Sequence, residues 1–495
     1  MNILLLSMPD SFEHMPTVAV RMPNGALSSL AGNIDAHHHC AIADLILVQR
    51  SVQHSMERLV RDNAPDVLGL SVMTFQRKTA FKIIAMVRRM VPQIKVVVGG
   101  YDPSLAPDEY MHDGSGVDFI VRGEGEITFR DLLRALEAGT ELDSIPGLYH
   151  RSGALWTRNP ARPVQPLSRD PLKLPNRSAR VLSGYTFLGS AVDVIETSRG
   201  CTFDCGFCSI IAMRGRNFHT FDFERVLADI ADAKRHGARS LFIVDDNITL
   251  NVRRFEELCH AIIKAGHNDV EYLVQGMTSA IAAHGETLAP LMREAGFRYV
   301  FLGIENILQS DLDFLHARAK NNLRGSSGEN ATLRAIQYIR GNDMLVVGGL
   351  IVGNPDDSVS SIEANLSFAK DYVDWPYIQH PTPYPGTPMT DDFRARDLVV
   401  NDRCEEYDGT TAVVRTEALA AEDIEFLRWR SERWMKVRHV PAVLRHHPRF
   451  VMRNWPKMLA HTFRGSSWRS VLGLEDDRMV FARYKRIRER ERTYL

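Results

Sequence analysis

The sequence predicts an α/β protein in three parts: a doubly wound parallel sheet, a partial (βα)6 barrel, and a mainly helical C-terminal region. Three observations carry this prediction. Apolar, β-branched runs alternate with amphipathic segments from Asn2 to Ala138, the pattern of a parallel sheet with crossover helices. A proline-rich stretch interrupts the alternation, which resumes at Val192. Beyond Phe426 the chain turns basic and rich in tryptophan. The composition, 44% hydrophobic and 24% charged in 495 residues, suits large buried cores and excludes collagen-like, low-complexity and disordered classes.

In the first part, strands are expected at Asn2–Ser7, Cys40–Leu45, Val67–Val72, Lys95–Val98 and Asp118–Val121. Helices are expected at Ala26–Ala36, Ser51–Asn63, Thr79–Met90 and Ile127–Ala138, with a short one near Pro107–His112. These elements define a first domain over residues 1–150. Residues 151–185 read as a linker: Pro160, Pro163, Pro166, Pro171 and Pro175 fix φ and remove donors. The competing reading of that stretch is an edge hairpin and loop of the first domain. Residues 186–395 form the second domain, with strands expected at Val192–Thr197, Ser240–Asp245, Glu271–Gln275, Tyr299–Ile304, Leu345–Val352 and Tyr377–Pro381. Its helices are expected at Asp222–His236, Arg253–Ala265, Glu286–Ala295, Thr332–Arg340 and Ser358–Tyr372. Six strands with crossover helices suit a partial barrel, in which catalytic groups gather at the C-terminal strand ends. Residues 396–495 form the helical region, with breaks expected at Pro441 and Pro448. From Phe426 onward its charge is about +12, and it holds Trp429, Trp434, Trp455 and Trp468.

The net charge of −1 argues against a whole-protein field that attracts nucleic acid, and no nucleic-acid partner is expected. Met1 leads straight into an apolar run without a basic segment or a small-residue cleavage site, which is a strand signal rather than an export signal. No apolar run approaches the ~18 residues of a membrane-spanning helix. Six cysteines are too few for a disulfide scaffold, and three of them cluster, so a reduced, cytoplasmic setting is expected.

That cluster is Cys201-Thr-Phe-Asp-Cys205-Gly-Phe-Cys208, directly after the strand Val192–Thr197 and the turn Ser198-Arg199-Gly200. Three thiolates at C-x3-C-x2-C spacing can ligate three irons of a [4Fe–4S] cluster and leave the fourth iron open. A zinc site would want a fourth Cys or His, for which His219 is the nearest downstream candidate. Buried structural thiols are the third reading. Cys40, Cys259 and Cys404 are isolated and read as small buried hydrophobes.

The run Ser198-Arg199-Gly200-Cys201, with Cys205 and Cys208, resembles the signature of radical S-adenosylmethionine (SAM) enzymes. The resemblance implies that SAM chelates the open iron and is cleaved reductively to a 5′-deoxyadenosyl radical, which the protein positions and shields. It further implies a SAM site built from Phe207 between the last two cysteines, and from Asp245 and Asp246 at the end of the second barrel strand. Gly303 and Glu305 would contribute from the fourth strand, Glu305 toward ribose hydroxyls, and Gly349 and Gly353 from the fifth, where glycine permits close backbone approach. Turn glycines and helix-capping acids are the plain alternative for each. Tyr377, His380 and Tyr384 fall near the barrel mouth, and nothing in their spacing singles out a substrate base.

The first domain reads either as a plain flavodoxin-like interaction domain or as a cobalamin-binding domain of the same topology. The second is favoured because ligands of such sheets bind beyond the carboxyl ends of strands, where hydroxyl and glycine residues collect here. Ser71, Met73, Thr74 and Gln76 follow the third strand, Gly99, Gly100 and Tyr101 the fourth, and Gly123, Glu124, Gly125 and Glu126 the fifth. The series resembles the cobalamin-binding half of class B radical SAM enzymes. The D-x-H-x-x-G motif that offers cobalt a histidine in many corrinoid proteins is absent: the loop Met8–Pro16 has only His14, and Asp35-Ala-His37-His38-His39-Cys40 lacks the glycine. His37, His38 and His39 read instead as cations at a helix C-terminus.

The resemblance implies a cobalamin-dependent radical SAM methyltransferase that passes a methyl group through methylcobalamin to an unactivated carbon of a small molecule or lipid, with a flavodoxin- or ferredoxin-type electron donor. Cys208 to His219 is similar to the corresponding run of hopanoid C-3 methylases. The same cofactors in an oxidoreductase or cyclase without methyl transfer are the alternative, and a corrinoid sensor with a relic barrel is the non-enzymatic one. The tail, with Arg438, Arg445, Arg453 and Arg464 among its tryptophans, reads either as a helical cap over the barrel mouth or as a peripheral contact with an anionic membrane surface.

Overall fold

The computed structural model describes residues 1–11, 20–153, 155–167, 172–321, 331–463, 467–491 and 494–495. His14, Pro171 and Arg464 lie outside the described residues. The chain opens with strand β1 (Asn2–Ser7), whose apolar run is covered on both faces, as an interior parallel strand requires. Strand β2 (Val20–Arg21) precedes helix α1 (Gly25–Asn33), capped by the Asn24 side chain, which accepts from the Leu27 N–H. There follow β3 (His39–Asp44), α2 (Val52–Asn63), β4 (Val67–Ser71), α3 (Arg77–Met90), β5 (Lys95–Gly99), the single turn α4 (Tyr101–Leu105), β6 (Phe119–Val121) and α5 (Gly125–Ala138). The strands β3-β1-β4-β5-β6 pair in parallel, a flavodoxin-like order whose direction reverses beside β1.

Two differences from the expected first domain have physical reasons. Helix α1 stops at Asn33, so His37–His39 lie beyond the reach of its dipole. His37 instead meets the Glu137 carboxylate at 2.9 Å, and His39 opens β3. The residues expected to begin the linker form a hairpin, β7 (Leu148–Ser152) and β8 (Leu155–Arg158), antiparallel on β6. β6 is a short edge, and the hairpin covers its unpaired backbone groups.

Beyond the hairpin an irregular path is nailed to the second domain by Arg177. Its guanidinium, with the side chain 1% exposed, donates to Asp193 at 3.0 Å, Asp229 at 2.7 Å and Asp232 at 2.9 Å. Strands β9 (Thr186–Phe187) and β10 (Ser190–Ile195) lead to a small ribbon, β11 (Ser198–Arg199) with β12 (His219–Thr220), that brackets helix α6 (Ser209–Arg214). The barrel continues with α7 (Phe223–Arg235), β13 (Ser240–Ile243), α8 (Val252–Lys264), β14 (Glu271–Met277), α9 (Thr278–Glu294) and β15 (Phe297–Glu305). The short helices α10 (Gln309–Phe314) and α11 (Arg318–Asn321) precede α12 (Ala331–Gly341), β16 (Leu345–Ile351), α13 (Val359–Tyr372), β17 (Trp375–Gln379) and α14 (Pro388–Ala395). The order β10-β13-β14-β15-β16-β17 is parallel throughout, an open half barrel. Beyond β10 it is extended antiparallel by β9 and then by β2, so a piece of the chain's first segment completes the second sheet.

Helix α15 (Ala421–His446) runs through Pro441, where a break was expected. An interior proline costs about 3 kcal/mol, and packing on both sides holds the helix through it. Phe426 and Trp429 lie against Phe481 of the last helix, and Val443 joins the cluster around Phe450. Pro448 does start a new helix, α16 (Pro448–Thr462), at the position where its missing N–H costs nothing. α17 (Trp468–Val471) and α18 (Asp477–Glu491) end the fold. Phe450, Val451 and Met458 of α16 pack on Leu273, Tyr299, Leu345 and Trp375, near the beginnings of the barrel strands. This helix therefore closes the end opposite the mouth, contrary to the expected cap, because a half barrel leaves that apolar interior uncovered.

Candidate active site

The turn into the cysteine loop requires glycine. Gly200 has φ +91°, and a Cβ there would lie 2.3 Å from the Asn217 carbonyl oxygen. The loop is pinned from below, where Gly206 N–H donates to Leu315 O and Met389 N–H donates to Gly206 O, each at 3.0 Å. Cys208 immediately precedes α6. Cys201, Cys205 and Cys208 line one cavity of about 230 Å3 at the carboxyl ends of the barrel strands. Its described lining holds no fourth cysteine or histidine, and His219 is instead placed opposite Arg199 in the ribbon. Three thiols facing one void fit a cluster with an open iron better than a four-ligand zinc site. Cys40, Cys259 and Cys404 lie outside this cavity, and burial pushes the Cys40 thiol up to about 12 and that of Cys404 up to about 11.

Phe207, Asp246, Gly303, Glu305 and Gly349 line the same cavity. Asp245 and Gly353 do not. Asp245 is spent on the backbone: its carboxylate accepts from Thr197 N–H at 2.6 Å and from the hydroxyls of Thr197 and Ser198, so it fastens the strand end that carries the cysteine loop. Gly353, with φ +99°, packs its α-carbon against Ile424 of α15, and its N–H donates to Asp357 at 2.8 Å. The space beside Gly349 is already taken, since a Cβ there would stand 2.8 Å from the Phe301 ring. Glu305 reaches the cavity from a left-handed backbone, φ +60°, where β15 and β16 slip register. Asn247, the residue after Asp246, also lines the cavity. Its Oδ1 accepts from Thr249, which turns its Nδ2 to within 3.9 Å of Cys201 Sγ. Gln275, Met277, Ile351 and Gln379 also line it; periodicity marks Gln275, Ile351 and Gln379 only as strand residues, and Met277 falls beyond the expected strand end at Gln275.

In the first domain, Ser71, Gly99, Gly100, Gly123, Gly125 and Glu126 meet around a cavity of about 120 Å3 between the sheet and helices α1 and α5. Gly69 forms its floor, where a Cβ would strike Leu5 at 2.6 Å. A glycine inside an otherwise apolar strand was the available signal for it. This narrow apolar slot suits the planar tail of a corrin cofactor. A second cavity of about 310 Å3 shares Gly123 and Glu126 with the first, and adds Glu124, Arg122 and the α6 residues Met213 and Arg214. Met73, Thr74 and Gln76 line neither. Gln76 donates to Asp10 O at 2.9 Å and accepts from Met73 N–H at 3.0 Å, so this turn braces the loop after β1. Tyr101 also lines neither, and its turn α4 packs on α6. Burial, then Asp246 and Cys208, push its phenol well up.

Glu124 and Glu126 do not simply await a ligand. Glu126 accepts from Ser29 and from Arg199, each at 2.7 Å. Arg199 also holds Glu196 at 2.8 Å, and Glu124 at 3.3 Å. Arg214 pairs with Glu124 and reaches Asp246 at 3.5 Å, while Asp246 accepts from Gly200 N–H at 2.7 Å. A continuous chain of charge thus runs from the cysteine cavity to the slot in the first domain. Burial alone would push Glu126 up, yet Arg199 and Ser29 hold it down at about 2. Burial pushes Asp246 up despite Gly200 and Arg214. Tyr377, His380 and Tyr384 stay out of the cavity. His380 is 2% exposed, hydrogen-bonded to the Val352 carbonyl, and lowered to about 3 by burial and then by Arg428, so it stays neutral. The Tyr384 hydroxyl donates to Tyr407 O at 3.1 Å.

Residues 15–133 match the family described as B12 binding domain, and residues 195–369 match the Radical SAM superfamily. The chain is 26% identical over 429 residues to an uncharacterized methyltransferase of Pyrococcus horikoshii, covering 86% of this chain and 90% of that protein. It is 25% identical to the anaerobic magnesium-protoporphyrin IX monomethyl ester cyclase of Rubrivivax gelatinosus, over 81% of this chain and 71% of the cyclase. It is 29% identical to the hopanoid C-3 methylase of Methylococcus capsulatus, over 66% of this chain and 57% of the methylase. The solved structure of the cobalamin-dependent S-adenosylmethionine radical enzyme OxsB with aqua-cobalamin and S-adenosylmethionine bound shares the fold over 99% of this chain and 75% of that one, with a TM-score of 0.67 and 16% identity. A B12 binding domain in front and a radical SAM half barrel behind it place this chain among the cobalamin-binding radical SAM enzymes.

Proposed function

We propose that this protein is a cobalamin-dependent radical SAM methyltransferase acting on an unactivated carbon of a small molecule. The observation that carries the reading is the facing of the two sites. The cysteine cavity and the first-domain slot both open at carboxyl strand ends and are joined by Asp246, Arg214, Glu124, Arg199 and Glu126. When bound, the cluster with SAM supplies a carbon-centred radical, and the cobalamin supplies a methyl group.

The chain's own residues do the rest. Cys201, Cys205 and Cys208 offer three thiolates, and Asn247 donates toward the first of them. Asp246 and Glu305 place carboxylates at the cavity wall to orient amino and hydroxyl groups of SAM. Met277, Phe301 and Ile351 line the cavity with apolar surface, exclude water and so protect a reactive radical from quenching. Gly69 and Gly125 leave the slot open between sheet and helix for the cobalamin tail. A flavodoxin- or ferredoxin-type protein is the electron donor this chemistry calls for.

The likeness to the cyclase favours one second reading, oxidative ring closure with the same cofactors. The test is anaerobic turnover with SAM carrying a trideuterated methyl group, read by mass spectrometry of a candidate carbon substrate. A gain of about 17 Da with 5′-deoxyadenosine formation supports methyl transfer, whereas a loss of about 2 Da without label establishes the cyclase reading.

A further inference from the structure

We propose that the C-terminal helices dock this protein onto an anionic lipid surface. From Arg433 to Leu474 the chain carries nine lysines and arginines and no acidic residue. Helix α16 arranges its share in three stripes, given about 100° of turn per residue. Phe450, Val451, Asn454 and Met458 form the inward stripe that closes the barrel. Arg449, Arg453 and Lys457, at i, i+4 and i+8, form an exposed basic stripe with no acidic partner among the described residues. Met452, Trp455 and Leu459, at i, i+3 and i+7, form a second exposed stripe that is wholly apolar, with Met452 73% and Trp455 55% exposed. Trp468 on the following short helix and Leu472 just past its end are exposed as well.

An apolar stripe left in water beside an unpaired basic stripe is the pattern of a helix that lies in a membrane interface. Tryptophan favours the headgroup level, and each cation near an anionic surface adds attraction. The complementarity singles out lipid rather than RNA, because polyanion binding leaves the exposed aliphatic side chains Met452 and Leu459 without a role. No described helix is long and apolar enough to cross a membrane, so the contact is one of lying on the surface. Because α16 closes the end of the barrel away from the mouth, docking leaves the active-site cavity facing away from the lipid. The inference is independent of the reaction the site performs.

The test floats the full-length, cluster-loaded protein with vesicles of phosphatidylcholine alone or with about 30% phosphatidylglycerol. Flotation with the anionic vesicles at low salt is expected, weakening as salt shortens the Debye length. The triple variant R449E/R453E/K457E should lose at least a hundredfold in partitioning, at about fivefold or more per cation. Trp455→Ala and Leu459→Ser should each lose about tenfold, since each removes buried apolar area. Arg253→Glu, on the exposed face of α8, serves as the charge control and should float like the wild type. No flotation with anionic vesicles at low salt overturns the proposal. So does flotation that the triple variant retains, or a shift by homopolymer RNA that Trp455→Ala leaves untouched while vesicles fail to bind.

Discussion

Asp311 and Asp357 face each other beneath the loop that leaves β16. Asp357 accepts from Gly353 N–H at 2.8 Å and Asn354 N–H at 2.9 Å. Burial, and then the charge of Asp357, push Asp311 up to about 7. Its folded value stands above its unfolded one, so the folded chain binds the extra proton between them. The stability this proton supports is full below pH ~4 and is lost as pH rises through about 7. Asp311→Asn keeps the neutral form at every pH. Its melting temperature should therefore gain on that of the wild type as pH rises from 5 to 8, and parallel curves would refute the shared proton. Neighbouring acids of this kind cannot be told apart in sequence. Asp245 and Asp246 are equivalent in any motif, and only the strand end's orientation sends one to Thr197 and the other to the cavity.

At the level of elements, periodicity revealed every parallel strand of both sheets, because interior strands and crossover helices carry their burial pattern in a short window. It failed where an element is too short to have a period or where prolines mask it. Strands β2 and β9 have two residues each, and the β7–β8 hairpin runs into the proline-rich stretch. That stretch is held by charge. Removing the Arg177 cation takes from the buried Asp229 the ion pair it makes and leaves Asp193 to Arg180 and Asp232 to Arg235. Arg177→Met should cost about 3–5 kcal/mol, seen as a lowered thermal midpoint of the barrel. Arg253→Ala, whose partner Glu257 is 51% exposed, should stay within about 0.5 kcal/mol.

For the whole molecule, the interdomain charge chain is the joint on which both sites depend. The double variant Glu124→Gln with Glu126→Gln removes the first-domain countercharges of Arg199 and Arg214 while keeping side-chain size, and leaves them Glu196 and Asp246 of their own domain. It should loosen the two domains against each other, so that limited proteolysis between residues 151 and 185 speeds up several-fold while the iron content stays at that of the wild type. Unchanged cleavage would show that the remaining contacts, among them the β2–β9 pairing, the packing of α4 on α6 and the Tyr185–Asp44 hydrogen bond, hold the domains. The C-terminal region adds a third level, closing the barrel with one face of α16 and leaving two faces outward.

Cysteine spacing, strand periodicity and charge asymmetry are local properties, readable wherever a few consecutive residues carry the chemistry. They sufficed for two α/β domains and for the three-thiol loop, and the family resemblance carried by that loop implied the kind of cofactors it serves. Which side chains face a cavity depends on contacts between residues far apart in the chain. Folding alone puts Asn247 beside Cys201, fills the room at Gly349 with Phe301, and spends Glu124 and Glu126 on two arginines. The reason is energetic: burying Arg199 and Arg214 demands countercharge, and the first domain adds Glu126 and Glu124 to the Glu196 and Asp246 of their own domain.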